Sequence, residues 1–236
     1  MSIYGCRARI GYASPPLITE TFLYEFYQIA PAGVTLAITT LGVSDATPTE
    51  LQQAFLLSQR AVREMAKAGV DFIVIGGVPV NLSVGLDHMD DFVATMEKEC
   101  GVGISTSIMA QLRALGALGA KNVAIIDPGG QPRDYLERAG YHVFTLRAEG
   151  YAPIEFPRIP LEVSAKLARD VAREHPEADT IFFQAGHWGT LANIDSLEHE
   201  LGLNVVSTSL AVIWDAFRHS KVSEPIPGFG RLLREH

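Results

Sequence analysis

AVREMAKAGVDFIVIGG followed by MDDFVATMEKECGVGISTSIM recurs, about a hundred residues on, as LARDVAREHPEADTIFFQAG followed by IDSLEHELGLNVVSTSLAV. Each passage runs helix, strand, glycine-containing turn, helix, strand, and ends in Ser-Thr-Ser. The period is too long for a solenoid, so the chain reads as an internal duplication. Short β-branched runs alternate with stretches of helical period, the pattern of parallel strands joined by crossover helices.

Strands are expected near Arg7–Tyr12, Val34–Leu41, Phe72–Gly76, Val102–Ser105, Val123–Ile126, His142–Leu146, Thr180–Gln184 and Val205–Ser207. Helices are expected near Glu20–Gln28, Thr49–Lys67, Asp87–Glu99, Ile108–Leu118, Pro132–Ala139, Leu161–Glu174, Ile194–Leu201 and Leu210–Ser220. Thr47-Pro48 and Ile159-Pro160 suit helix entry, because proline lacks only an N–H that the first turn leaves unused. The tail SEPIPGFGRLL is expected to be irregular. The fold class is α/β: two pseudo-symmetric, doubly wound parallel-sheet (Rossmann-like) subdomains with the site between them. The first comprises residues 1–119 plus 209–236, and the second residues 120–208.

The 236 residues are 47% hydrophobic, enough for a substantial core. A net charge of −8, with no cluster of Lys and Arg, removes the footprint of a nucleic-acid binder. No run approaches the roughly 20 apolar residues that cross a bilayer. The start, MSIYGCRARIGYA, lacks an export pattern, so a cytoplasmic location is expected. Two cysteines, Cys6 and Cys100, fit a reducing compartment and exclude a four-cysteine zinc site. The composition leaves room for a homo-oligomer.

At the carboxyl end of a parallel strand the next helix begins with unpaired N–H groups, where anions bind. Ser105, Thr106 and Ser107 at one such corner, and Ser207 at the other, could hold a small carboxylic acid between the halves. The plainer alternative is that Ser107 and Ser209 simply cap their helices.

IGYASPP, DFIVIGGVPV, GISTSIM, DTIFFQAGHW and VVSTSLAVIWDAFR with the closing PGFGRLL together resemble the aspartate/glutamate racemase superfamily, in its arylmalonate decarboxylase and maleate isomerase branch. The similarity spans nearly the whole chain, and Pro15-Pro16 with WDAFR…PGFGRLL look most like the decarboxylase side. The resemblance implies chemistry at the carbon next to a carboxylate, with cysteines after one strand in each half. Racemases use both cysteines, and the decarboxylases keep the second as proton donor. Here Gly77 stands in the first position and Ala185 in the second. Val78 and Pro79 replace hydroxyl residues that hold a carboxylate in the decarboxylase pattern. Cys6 and Cys100 belong at the opposite edge of the sheet, Cys6 roughly 20 Å from the cleft, and read as small buried fillers.

AGHWG then supplies the remaining chemistry. His187, two residues past Ala185, suits proton transfer near neutral pH. Trp188 could wall and desolvate a carboxylate; its alternative is a ring packed under the neighbouring helix. Tyr12, Ser14 and Pro15 at the first strand's exit, and Gly186 beside Ala185, complete the expected substrate contacts. Asp127 before Pro-Gly-Gly is foremost a turn signal. The other histidines lack metal-ligand spacing, Asp87, Asp90 and Asp91 suit a helix start, and no dinucleotide or P-loop fingerprint occurs. No metal and no cofactor are expected. The function expected is a cofactor-independent decarboxylase or isomerase of a small mono- or dicarboxylic acid. A carboxylate-binding pseudoenzyme and a hydrolase using His187 to activate water stand as alternatives.

Overall fold

The computed structural model describes residues 4–130, 132–147 and 151–236. Each half of the repeat builds a four-stranded, wholly parallel sheet. The first contains β1 (Ala8–Pro16), β2 (Val34–Val43), β3 (Phe72–Ile75) and β4 (Gly103–Thr106), in the order β2-β1-β3-β4. The second contains β5 (Asn122–Asp127), β6 (His142–Arg147), β7 (Thr180–Phe183) and β8 (Asn204–Ser207), in the order β6-β5-β7-β8. The same order in both is the duplication in three dimensions, and every expected strand forms. Val123, Ala124, Ile125 and Ile126 of β5 are wholly buried, as befits strands covered on both faces.

The crossover helices follow from local signals where such signals exist. α1 (Thr21–Ile29) buries one face, Phe22, Glu25, Phe26 and Ile29. α2 (Pro48–Lys67) opens on a capping box, Thr47 with Glu50, and has Pro48 in its first turn. A short α3 (Val78–Leu82), absent from the sequence expectations, follows Gly77. α4 (Met89–Cys100), α5 (Ser107–Ala117), α6 (Asp134–Arg138), α7 (Leu161–Glu174), α8 (Leu191–Leu201) and α9 (Thr208–His219) complete the layers. The tail is not wholly irregular: α10 (Arg231–Glu235) buries Leu232 and Leu233, and the Arg231 N–H donates to Glu198 Oε2 at 2.7 Å.

The two Ser-Thr-Ser segments are out of step by one residue. α4 and α8 both end on a left-handed glycine, Gly101 (φ 67°) and Gly202 (φ 70°), and each is followed by a four-residue strand beginning two residues later. Counting from those glycines pairs Thr106 with Ser207 and Ser107 with Thr208. The caps agree: Thr106 Oγ1 accepts from the Met109 N–H at 3.2 Å, and Ser207 Oγ from the Leu210 N–H at 3.1 Å. The expectation that Ser107 and Ser209 are the alternative caps is therefore corrected, each cap lying one or two residues earlier.

α9 is the axis of the molecule. Every residue from Thr208 to Phe217 is buried, and the helix packs on α5 and against β3 and β4 of the first sheet. A full-length buried helix contributes about 1.5–3 kcal/mol for each large apolar side chain it removes from water. The α5–α9 seam also carries polar bonds. Gln111 Nε2 donates to Thr208 Oγ1 at 3.3 Å, the Tyr135 hydroxyl of α6 donates to Gln111 Oε1, and Arg113 reaches Asp215 at 3.1 Å.

Candidate active site

α5 leaves the carboxyl end of β4 and α9 that of β8, and the two helices pack together along this seam. In each half the serine-rich corner grips the turn after the neighbouring strand. Ser107 Oγ accepts the Gly77 N–H at 3.0 Å, and the Ser209 hydroxyl donates to the Gly186 carbonyl at 2.8 Å. Asn81 of α3 adds a second stitch in the first half, donating to the Ile75 carbonyl at 3.1 Å and accepting the Ile108 N–H at 3.4 Å.

Several expected ligand contacts are engaged within the protein instead. The Ser105 hydroxyl is buried and donates to Asp215 Oδ2 at 2.6 Å while accepting from Arg113 at 3.1 Å, so it belongs to the α5–α9 seam. Thr106 and Ser207 serve as caps. Ser14 is buried and shares a hydrogen bond with Thr19. Tyr12 is stacked on Phe22 with ring centroids 4.0 Å apart, and burial raises its phenol far above the usual range. Trp188 is fully buried and edge-on to Phe183 at 5.4 Å, a ring packed in the core.

Gly77 and Pro15 do meet. The glycine has φ +82°, and a Cβ placed there would lie 2.5 Å from Pro15 Cγ. No side chain, thiol included, fits without moving the proline. Val78 is buried at the start of α3. Cys6 is exposed, with its sulfur beside Gly33 at the amino end of β2, and Cys100 is part-buried where α4 leads to the amino end of β4. Both sulfurs thus sit at the amino edges, as expected, but neither is the fully buried filler that the sequence suggested. Burial raises the Cys100 thiol, which keeps it protonated.

The loop from Gln184 to Thr190, linking β7 to α8, is where unspent polar capacity gathers. Among the described residues, seven buried side-chain N or O atoms have no hydrogen-bond partner. Four of them are Gln184 Oε1, His187 Nε2, Trp188 Nε1 and Thr190 Oγ1, and a fifth is Glu25 Oε2, whose carboxyl holds this loop. Native interiors leave few such atoms, and their concentration marks a place prepared for polar partners. Ala185 is buried at the loop's start and offers no proton. Desolvation pulls the His187 imidazole down to about 4, so it is neutral at neutral pH. That corrects the picture of a histidine poised near neutrality, and it weakens His187 as a base for activating water. Beside the loop a hollow of about 340 Å³ opens at the carboxyl ends of β5 and β7, lined by Asp127, Arg133, Thr145 and Gln184 among others, all from the second half. Asp127 Oδ1 accepts the Gly129 N–H at 2.9 Å, the turn its sequence indicated.

Glu25 escaped the sequence reading. It lies on the buried face of α1 between Phe22 and Phe26, and Oε1 accepts the Thr190 N–H at 2.9 Å and the Leu191 N–H at 3.0 Å. Burial pushes its carboxyl up to about 7, against the Leu191 and Thr190 N–H groups and the nearby Ser209 hydroxyl, which favour the anion. A carboxylate among the aromatic positions of an amphipathic helix was the available signal.

No group of three or more His, Cys, Asp or Glu among the described residues is arranged to hold a metal ion, and no helix among them is long and apolar enough to cross a membrane. Two four-stranded parallel sheets of the same strand order, each with a turn held by the corner of the neighbouring strand, define a two-lobed α/β class of protein. Within it, the arylmalonate decarboxylase family matches residues 22–233, and the chain belongs to that family. The chain is 26% identical over 202 residues to the arylmalonate decarboxylase of Bordetella bronchiseptica, covering 83% of this chain and 84% of that protein. It is 25% identical over 189 residues to the maleate isomerase of Nocardia farcinica (strain IFM 10152), covering 75% and 74%. A crystal structure of a liganded double mutant of arylmalonate decarboxylase superposes with a TM-score of 0.86 at 22% identity, over 97% of this chain and all of that one.

Proposed function

We propose that the protein is a cofactor-independent decarboxylase or isomerase that acts at the carbon next to a carboxylate of a small mono- or dicarboxylic acid, without a thiol. The observation that carries this reading is the Gln184–Thr190 loop, whose partnerless polar atoms lie at the carboxyl edge of β7 in a chain of this family. In the decarboxylation form, the C–C bond to the departing carboxylate breaks and CO₂ leaves. The electron pair passes into the remaining carboxylate as an enediolate, and a proton must then reach the α-carbon. With Ala185 unable to supply it, His187 is the donor of choice.

An imidazole held near 4 is protonated in about one molecule in a thousand at pH 7. A dicarboxylate bound beside it reverses the balance, because nearby negative charge favours the imidazolium. Substrate binding thereby recruits its own acid. The same reading divides the chain into residues 1–119 plus 209–236 and residues 120–208, with the substrate at their junction.

The test is incubation with substituted malonates, maleate and related acids in D₂O, followed by NMR. Turnover or deuterium uptake at the α-carbon is expected, and His187→Ala should lower the rate at least tenfold. Thermal stabilisation by the acids with neither signal would instead establish a binding protein, a reading favoured by the absent thiols. Unchanged turnover in His187→Ala would remove the proposed donor.

A further inference from the structure

The loop that carries Ala185 and His187 is held at two points, and both holds lead to Glu25. At its far end the Glu25 carboxyl, from the first half, accepts the Thr190 and Leu191 N–H groups, 165 and 166 positions away in sequence. At its near end the Ser209 hydroxyl of α9 donates to the Gly186 carbonyl. Ser209 also bears on the Glu25 carboxyl, as one of the three groups that stabilise its charge. Glu25 Oε2 nonetheless has no hydrogen bond, although it is buried. α1 touches the loop again at Gly189, where a Cβ would lie 3.3 Å from Thr21 Cγ2.

A hydroxyl has one proton to donate. While Ser209 gives that proton to Gly186, an ionised Glu25 Oε2 goes unserved, and if Ser209 turns to Glu25, the Gly186 carbonyl is released. A proton on Oε2 ends this competition. Oε2–H then donates to Ser209 Oγ, which keeps lone pairs to accept it, and the Ser209 proton stays on Gly186. The proton is exchanged with solvent, and no covalent bond other than O–H is made or broken.

We propose that Glu25 is the positioning residue of the His187 loop, and that gain or loss of one proton on its Oε2, relayed through Ser209 to the Gly186 carbonyl, resets that loop. This goes beyond the proposed reaction and does not depend on it. The groups facing Glu25 are Ser209 from α9 and Thr190 and Leu191 from the start of α8; these groups and burial are the influences on its carboxyl, with no charged neighbour among them. His187, in the same loop, titrates far lower and cannot supply a transition near neutrality.

The experiment is a pH titration of the ¹⁵N-labelled full chain between pH 5.5 and 8.5, without substrate. The Thr190, Leu191, Gly186 and His187 amides are expected to shift together with one midpoint near pH 7. In Glu25→Gln all four should be flat. In Ser209→Ala the Thr190 and Leu191 shifts should persist while those of Gly186 and His187 are lost. Absence of the transition in the wild type, its survival in Glu25→Gln, or a Gly186 response unchanged by Ser209→Ala would each overturn the proposal. Since no turnover is measured, a negative result leaves the decarboxylase or isomerase reading standing, and absence of turnover leaves the relay standing.

Discussion

Stability should respond to pH through two buried groups that pull in opposite directions. Glu25 titrates at 4.5 when unfolded and at about 7 in the fold, so the native state binds the extra proton between those values. Its contribution is complete below pH 4.5 and is lost as pH rises to 7, by about 1.4 kcal/mol per pH unit and about 3 kcal/mol in all. His187 falls from 6.5 to about 4, so here it is the unfolded chain that binds the extra proton. Its contribution is complete above pH 6.5 and is lost as pH falls towards 4, again by at most about 3 kcal/mol. Between pH 4.5 and 6.5 the two slopes cancel in the wild type. Each variant unmasks the other group: Glu25→Gln should lose stability on acidification through this window, and His187→Gln should lose it on the way up. For a chain of this size about 3 kcal/mol corresponds to about 6–12 °C in Tm. Thermal unfolding followed by circular dichroism at half-unit pH steps measures it, and variant-minus-wild-type curves remove the remaining carboxylates. Difference curves that are flat, or that slope the same way for both variants, would refute the reasoning.

Gly77→Ala should destabilise by about 2 kcal/mol or more, since the residue must adopt a positive φ and its methyl would overlap the Pro15 ring; urea unfolding reads the loss, and Pro15→Ala in the same chain should recover part of it. Replacing Cys6 and Cys100 together by serine should leave turnover in the D₂O assay unchanged, and a rate that falls would mean that a sulfur reaches the site after all.

The strands were legible because their signal is local: β5 and β7 are short runs of Val, Ile and Phe between turn residues, and no tertiary partner is needed to read them. What escaped was either too short or held from elsewhere in the chain. α3 has five residues, too few to reveal a 3.6-residue period. α8 was expected from Ile194 but begins at Leu191, and the reason lies in α1. Thr190 makes no side-chain cap, and the N–H groups of Thr190 and Leu191 at this helix start are taken by Glu25. The Ser-Thr-Ser repeat misled in a different way. Its letters align with one offset and its helix-ending glycines with another, and backbone geometry follows the glycines, because a left-handed turn fixes where the next strand can start. The site suffered accordingly: Ser105 looked equivalent to Ser207, yet one belongs to the α5–α9 seam and the other caps a helix.

The two empty cysteine positions are not equivalent, and the difference bears on what this protein can become. Position 77 is closed by backbone and neighbour together, since φ is +82° and the Pro15 ring occupies the space of a side chain. Position 185 is not closed by the backbone: Ala185 already carries a Cβ and its φ is not in the left-handed region. A side chain at position 77 therefore requires rebuilding the exit of β1, whereas the backbone at position 185 already accepts one. The neighbourhood of position 185 is also the part of the structure held from a distance, by Ser209 on one side and Glu25 on the other. Such clamping suits a loop that must present a group to a reacting carbon within a fraction of an ångström. His187 lies between the two clamps, so on the proposed reading it is the group that their precision would serve.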